Sequence, residues 1–218
     1  MDNIYYSHEH VTIDLSGIKQ DLDCRLDDFD QTAAEFKDLH ARGVRVVVDQ
    51  TARGMGRNAA YAQSIAEDTG VRVLHATGFY KEPFLPEECY RMTKQELAAL
   101  LIKDICVGID GTDIRANHIG EVGTGVGAIK PEELKVFEAA CFAHHETGAP
   151  ICTHCTLGTL GLEQLELFEH HQVPLEKVVL SHIDLSGDYD YMLALVDRGV
   201  NIAFDTIGKE NYMPDAKR

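Results

Sequence analysis

The segment His40-Ala41-Arg42-Gly43-Val44-Arg45-Val46-Val47-Val48-Asp49 decides the fold. Its first half is polar and helix-patterned. Its glycine tolerates the left-handed conformation that ends a helix, and its Val-rich second half is what a strand buried on both faces looks like. The junction recurs as Glu67-Asp68-Thr69-Gly70-Val71 before Arg72-Val73-Leu74-His75-Ala76-Thr77, and as His145-Glu146-Thr147-Gly148-Ala149 before Pro150-Ile151-Cys152-Thr153-His154. A fourth copy is Asp197-Arg198-Gly199-Val200 before Asn201-Ile202-Ala203-Phe204-Asp205. Helix running repeatedly into strand predicts crossover connections and therefore a parallel sheet.

Two further segments, Arg115 to Glu121 and Lys177 to His182, show the same apolar run ending in polar residues without the glycine. With the opening stretch Tyr5-Tyr6-Ser7-His8-Glu9-His10-Val11, strands are expected near residues 4–11, 44–50, 71–77, 115–121, 150–155, 177–182 and 200–205. Helices fit between most of them. Asp28 to Arg42 places Phe29, Ala33, Phe36 and Leu39 at helical spacing, and Thr93 to Val107 does so with Leu97, Leu100, Leu101 and Ile105. Pro131 opens another helix at its first turn, with Leu134, Phe137, Ala140 and Cys141 expected to face inward. Seven such units point to a TIM-type (β/α) barrel more than to an open doubly wound sheet. No G-x-G-x-x-G follows the first strand, and Arg53-Gly54-Met55-Gly56-Arg57-Asn58 lacks the P-loop lysine, so it reads as a flexible βα loop. A single domain over residues 1–218 is expected.

With 218 residues and 44% hydrophobic content, the chain is long enough for one sizeable core. Thirty-six acidic against 20 basic residues give a formal charge of −16, which repels phosphate backbones and anionic membranes. Nucleic acid and membrane are therefore not expected partners; a small-molecule substrate is, and a homo-oligomer stays open. No stretch reaches the roughly 18 uncharged apolar residues of a membrane span. The N-terminus reads directly as a strand with no signal peptide, which fits a cytoplasmic protein. Six dispersed cysteines suggest reduced thiols. The pair Cys152 and Cys155 would face opposite ways on a strand.

Residues i and i+2 of a strand point the same way, so His8 and His10 converge on one volume, a metal-ligand geometry. Chemistry in a parallel barrel sits at the carboxyl ends of the strands. Those ends carry His8 and His10, Glu121, His154 and His182. Singly, the histidines also fit hydrogen-bonded strand positions, and Glu121 also fits the start of the turn Glu121-Val122-Gly123-Thr124-Gly125. Together, on four strands, they favour one shared site, since imidazole suits zinc and similar ions and a carboxylate can bridge two of them. His40, His144, His145, His170 and His171 are assigned to solvated faces, while His75 and His118 on strands are ambiguous.

These residues resemble the phosphotriesterase family of the amidohydrolase superfamily, in its bacterial branch of phosphotriesterase homology proteins. The likeness is carried by His8-Glu9-His10, Gly120-Glu121, Thr153-His154 with Thr156, and Ser181-His182 with Asp184, in order along essentially the whole chain. The resemblance implies a binuclear divalent-metal site, usually zinc, with His8 and His10 on one ion, His154 and His182 on the other, and Glu121 bridging them. Many relatives carry a carboxylated lysine at the bridging position. A hydroxide shared by the two ions would hydrolyse an ester-like bond: a carboxylic ester, a lactone or a phosphoester. Tyr80 aligns with a tyrosine that lactonase members use near the substrate, and Asp205 with an aspartate that supports the pocket.

Two departures qualify the resemblance. The lactonases follow that aspartate with arginine, whereas this chain has Thr206. Family members also have an eighth strand whose aspartate ligates the first metal, and no eighth strand is visible before Arg218. The sequence thus predicts seven of eight βα units, either as a fragment, which the mid-helix pattern at Arg218 favours, or as a short form with open edges. It further predicts a looser ion at His8 and His10 than at His154 and His182. The alternative is a metal-binding protein with little or no catalysis. Substrate and metal identity, zinc, manganese or cobalt, are not legible.

Overall fold

A computed structural model describes residues 3–218. Seven staves follow one another in the order of the sequence: β1 (Ile4–Glu9), β2 (Val44–Asp49), β3 (split into Arg72–Leu74 and Ala76–Thr77), β4 (His118–Thr124), β5 (Ile151–Cys155), β6 (Val178–Ser181) and β7 (Asn201–Ile202). Every neighbouring pair is parallel. The split of β3 at His75 divides the ladder into a three-stranded and a five-stranded part. Besides the four-residue helices Ser16–Lys19 and Glu88–Arg91, the longer helices are α1 (Phe29–Ala41), α2 (Ala59–Thr69), α3 (Lys94–Cys106), α4 (Pro131–Thr147), α5 (Gly161–His170) and α6 (Tyr189–Val196). One longer helix therefore follows each of the first six staves, the arrangement expected from the repeated glycine junctions.

Local signals set these boundaries. Asp28, Asn58 and Asp188 accept the N3 amide at the starts of α1, α2 and α6, which satisfies a donor that a helix leaves unpaired. Thr93 and Glu96 form a reciprocal capping box at α3. Gly70 and Gly148 close α2 and α4 in the left-handed conformation. Leu97 and Leu101 of α3, Phe137 and Cys141 of α4, and Leu165 and Phe168 of α5 are fully buried against the sheet in the larger core cluster. Each large side chain so buried contributes about 1.5–3 kcal/mol. A smaller cluster joins Val44 and Val47 of β2 to Phe36 of α1 and Ile65 of α2.

Several expectations shift. The fourth strand starts at His118 and runs through Glu121 to Thr124, buried at every position. Glu121 is therefore inside the strand rather than at its end. Leu134 is 37% exposed, on the outer face of α4. His144 is buried, its Nδ1 2.7 Å from the Ala149 carbonyl oxygen; the ring ties the end of α4 to the chain entering β5. The glycine-rich segment 53–58 is pinned: the Arg57 guanidinium, its side chain 5% exposed, pairs with Asp104 and Asp110. Cys152 and Cys155 are both free and reach different partners, Ser181 and Gln164. Among the described residues no helix is long and apolar enough to cross a membrane.

Candidate metal centre

Four residues at or near the carboxyl ends of the staves, His8, His10, His154 and His182, and Glu121 from the middle of β4 surround one cavity of about 290 Å³. Glu121 is its electrostatic centre. Its Oε1 lies 2.6 Å from His154 Nδ1, 3.0 Å from His182 Nε2 and 3.6 Å from His8 Nε2. The His8 and His10 rings are 5.8 Å apart at their centroids, as expected of i and i+2 on a strand. His154 and His182 are 4.5 Å apart and His8 and His182 4.8 Å. Among the described residues, His8, Glu121 and His182 place one ligand atom each within 4.8 Å of one another, close enough to share an ion, with one histidine from each of the pairs expected from sequence.

Neighbouring groups fix which ring nitrogen is free. The Thr51 hydroxyl has one proton, and its oxygen lies 2.9 Å from the Thr12 carbonyl oxygen and 2.7 Å from Asp49 Oδ1. Both are acceptors, so the hydroxyl oxygen must accept from His10 Nδ1, 3.0 Å away, which leaves Nε2 bare. His182 Nδ1 donates to Asp205 Oδ1 at 2.7 Å, and the same oxygen takes the His182 backbone N–H at 3.0 Å. This double contact holds His182 in a left-handed backbone conformation, φ 65°, that a residue with a Cβ seldom adopts. His8 Nδ1 reaches Ser181 Oγ at 3.0 Å.

Burial pulls His10 down to about 3 and His154 to about 4, so both rings stay neutral, the form that binds a metal. Burial also acts on His182, but hydrogen bonds and charge from Asp205 and Glu121 outweigh it and raise this ring to about 9. For Glu121 burial favours the neutral acid. The His154 and His8 rings and the hydrogen bonds from His154 and His182 overcome it and hold the carboxyl well below its usual range. Asp205 Oδ2 is buried without a hydrogen bond, 3.2 Å from His8 Nδ1 but misaligned. An ionised carboxylate among buried imidazoles is a donor set that fits divalent cations, and an ion taken up here would displace the proton on His182 Nε2.

Tyr80 is 8% exposed, and its hydroxyl lies 3.2 Å from His154 Nε2. Thr206, where lactonases carry arginine, is buried and donates to Asp184 Oδ2 at 2.6 Å. Sequence reasoning missed the roles of Thr51, Asp49 and Ser181. The one available signal was the polar run Asp49-Gln50-Thr51 directly after a Val-rich strand. His118, ambiguous in sequence, is buried with Nε2 3.0 Å from Gln50 Oε1. His75 is buried with Nε2 unpartnered.

An imidazole–carboxylate cluster at the carboxyl ends of sequential parallel staves defines, as a class, the TIM-barrel-like amidohydrolase fold. The phosphotriesterase family profile matches residues 4–218, and the chain belongs to that family. It is 47% identical over 212 residues to the phosphotriesterase homology protein of Escherichia coli K12, covering 97% of this chain and 73% of that one. The crystal structure of the E. coli protein, complexed with phosphate in its active site, superposes with a TM-score of 0.97 at 45% identity, covering 100% of this chain and 76% of that one. An aryldialkylphosphatase of Saccharolobus solfataricus is 30% identical, covering 97% of this chain and 68% of that protein. The lactonase Lmo2620 from Listeria monocytogenes matches with a TM-score of 0.94 at 28% identity, covering 99% of this chain and 71% of that one.

Proposed function

We propose that this chain is a metal-dependent hydrolase of ester-like bonds, built as one domain from seven of the eight βα units of a (β/α)8 barrel. The observation that carries the reading is the convergence of His8, His154 and His182 on the Glu121 carboxylate. Support comes from the relatives, one an aryldialkylphosphatase and one a lactonase. His8 and His10 would hold one divalent ion, His154 and His182 a second, with Glu121 between them; zinc suits the donor set. When bound, such ions supply Lewis acidity and lower the pKa of a bound water towards 7.

The chain's own residues do the rest. Ser181, Thr51 and Asp205 hold the His8, His10 and His182 rings so that Nε2 faces the cavity. Tyr80, against His154 and the Phe84 ring, offers its phenol O–H to a substrate oxygen in the cavity. Burial and the Glu121 charge raise its pKa, so it stays protonated and able to donate. Ile13, Leu15, Met55, Phe84 and Leu185 wall the cavity and keep bulk water from the reacting bond. The test is a panel of carboxylic esters, lactones and phosphotriesters: turnover abolished by a chelator and restored by zinc is expected. Metal binding without turnover of any member would instead favour a metal-binding protein.

A further inference from the structure

The chain carries a formal charge of −16, yet three lysines, Lys19, Lys81 and Lys209, line the cavity above the candidate metal centre. They come from three separate segments: the short helix Ser16–Lys19, the loop after β3 and the loop after β7. None of the three forms an ion pair among the described residues. This is unexpected where carboxylates outnumber cations 36 to 20. Lys81 is the informative member. It is half-buried, its ammonium 5.2 Å from the centre of the Tyr80 ring and 5.5 Å from that of Phe84, and its one hydrogen bond is a long one of 3.4 Å to the Glu82 carbonyl oxygen. The Glu133 and Glu121 carboxylates act on it through space but neither pairs with it: Glu133 accepts the backbone amides of Glu82, Gly125 and Lys130, and Glu121 faces the histidines.

A cation partly withdrawn from water and left without a direct ion-pair partner costs free energy that an arriving anion returns. From this arrangement we propose that the cavity selects a substrate that carries a fixed negative group, a carboxylate, sulfonate or phosphate, apart from the bond to be cleaved, and that Lys81 receives that group. Lys19 and Lys209 add a positive field at the mouth that draws such substrates in against the net charge of the chain. Tyr80 and Phe84 flank the Lys81 ammonium, and Tyr80 in turn touches His154, so the anion binds beside the reacting bond and orients it. The inference rests on the hydrolase reading for its substrate, but the anion subsite is measurable without turnover.

The experiment uses the zinc-loaded chain and matched chromogenic esters: 4-nitrophenyl butanoate and its counterparts bearing a terminal carboxylate or sulfonate. The anionic esters are expected to show kcat/KM at least tenfold above the neutral one in low salt, with the ratio shrinking as salt is raised. Lys81→Met should bring the ratio down by about tenfold, chiefly through KM, and Lys81→Arg should restore it. A ratio near one, or one that Lys81→Met leaves unchanged, overturns the anion subsite while leaving the hydrolase reading intact. If no ester is cleaved the hydrolase reading fails, and calorimetric titration with benzenesulfonate decides the subsite. Saturable binding that weakens about tenfold in Lys81→Met supports it, and equal or absent binding overturns it.

Discussion

Glu121 faces three imidazoles, and the arrangement works because other residues fix the protons on those rings. Asp205 is the clearest such residue, since one of its oxygens accepts both the ring and the backbone N–H of His182. Replacing an outer partner of this kind weakens metal binding by roughly 10–100-fold. Asp205→Asn is expected to do so in a competition titration against a chromophoric chelator. His75 allows a separate prediction about stability. Burial, with the nearby Arg57 charge, holds its ring down to about 4, against about 6.5 in an unfolded chain. As pH falls from about 6.5 to 4, the unfolded chain takes up a proton that the folded chain refuses, so stability is undiminished above that window and lost within it. Between pH 7 and 5 this amounts to about 2 kcal/mol, and urea unfolding of metal-free His75→Gln should show a pH dependence smaller by that amount. At this scale the convergence of His8, His10, His154 and His182 on one cavity was legible, because they lie beside strand ends that the sequence marks. Thr51 and Ser181 were not. A hydroxyl's role is set by which distant ring it meets, His10 across 41 residues and His8 across 173.

Elements were read well where local chemistry fixes them. The cap at Asp28, the capping box at Thr93 and the first-turn proline at Pro131 all start helices where the sequence places them. β4 was misplaced for a physical reason: Gly123 and Gly125 read as a turn after Glu121, but Gly123 is a strand glycine at a close approach. A Cβ on Gly123 would sit 2.9 Å from the His154 Cβ, its register partner on β5. That contact sets where His154 projects. Gly123→Ala is therefore expected to displace His154 and lower kcat by at least tenfold, with the fold retained by circular dichroism. Wild-type turnover in that variant would remove His154 from the working site. The loop 53–58 misled in the same way, since its glycines suggested mobility while the Arg57 ion pairs that pin it come from residues about 50 positions away.

At the scale of the whole molecule, the order of the staves followed from the repeated junctions, whereas the curl that brings β1 towards the end of β7 is a tertiary fact. His8 and Asp205 lie 197 residues apart in sequence and 3.2 Å apart in space. Because the proposed ligands come from β1 and the residue after it, β4, β5 and the residue after β6, an ion held by them would tie distant parts of the sheet together. Ligands that bind only the folded chain stabilise it by mass action. Zinc at about 100 times its Kd should therefore add about 2.7 kcal/mol, visible as a rise in melting temperature that a chelator reverses. The central claim is that Glu121 and its four histidines form one divalent-metal site used for hydrolysis. Equilibrium dialysis of the chelator-stripped chain against zinc, with metal and protein quantified together, tests it most directly. Two zinc ions per chain in the wild type, falling to fewer than one in Glu121→Gln with loss of ester turnover, is the expected result; no saturable zinc binding in the wild type, or an unchanged stoichiometry in Glu121→Gln, would contradict it.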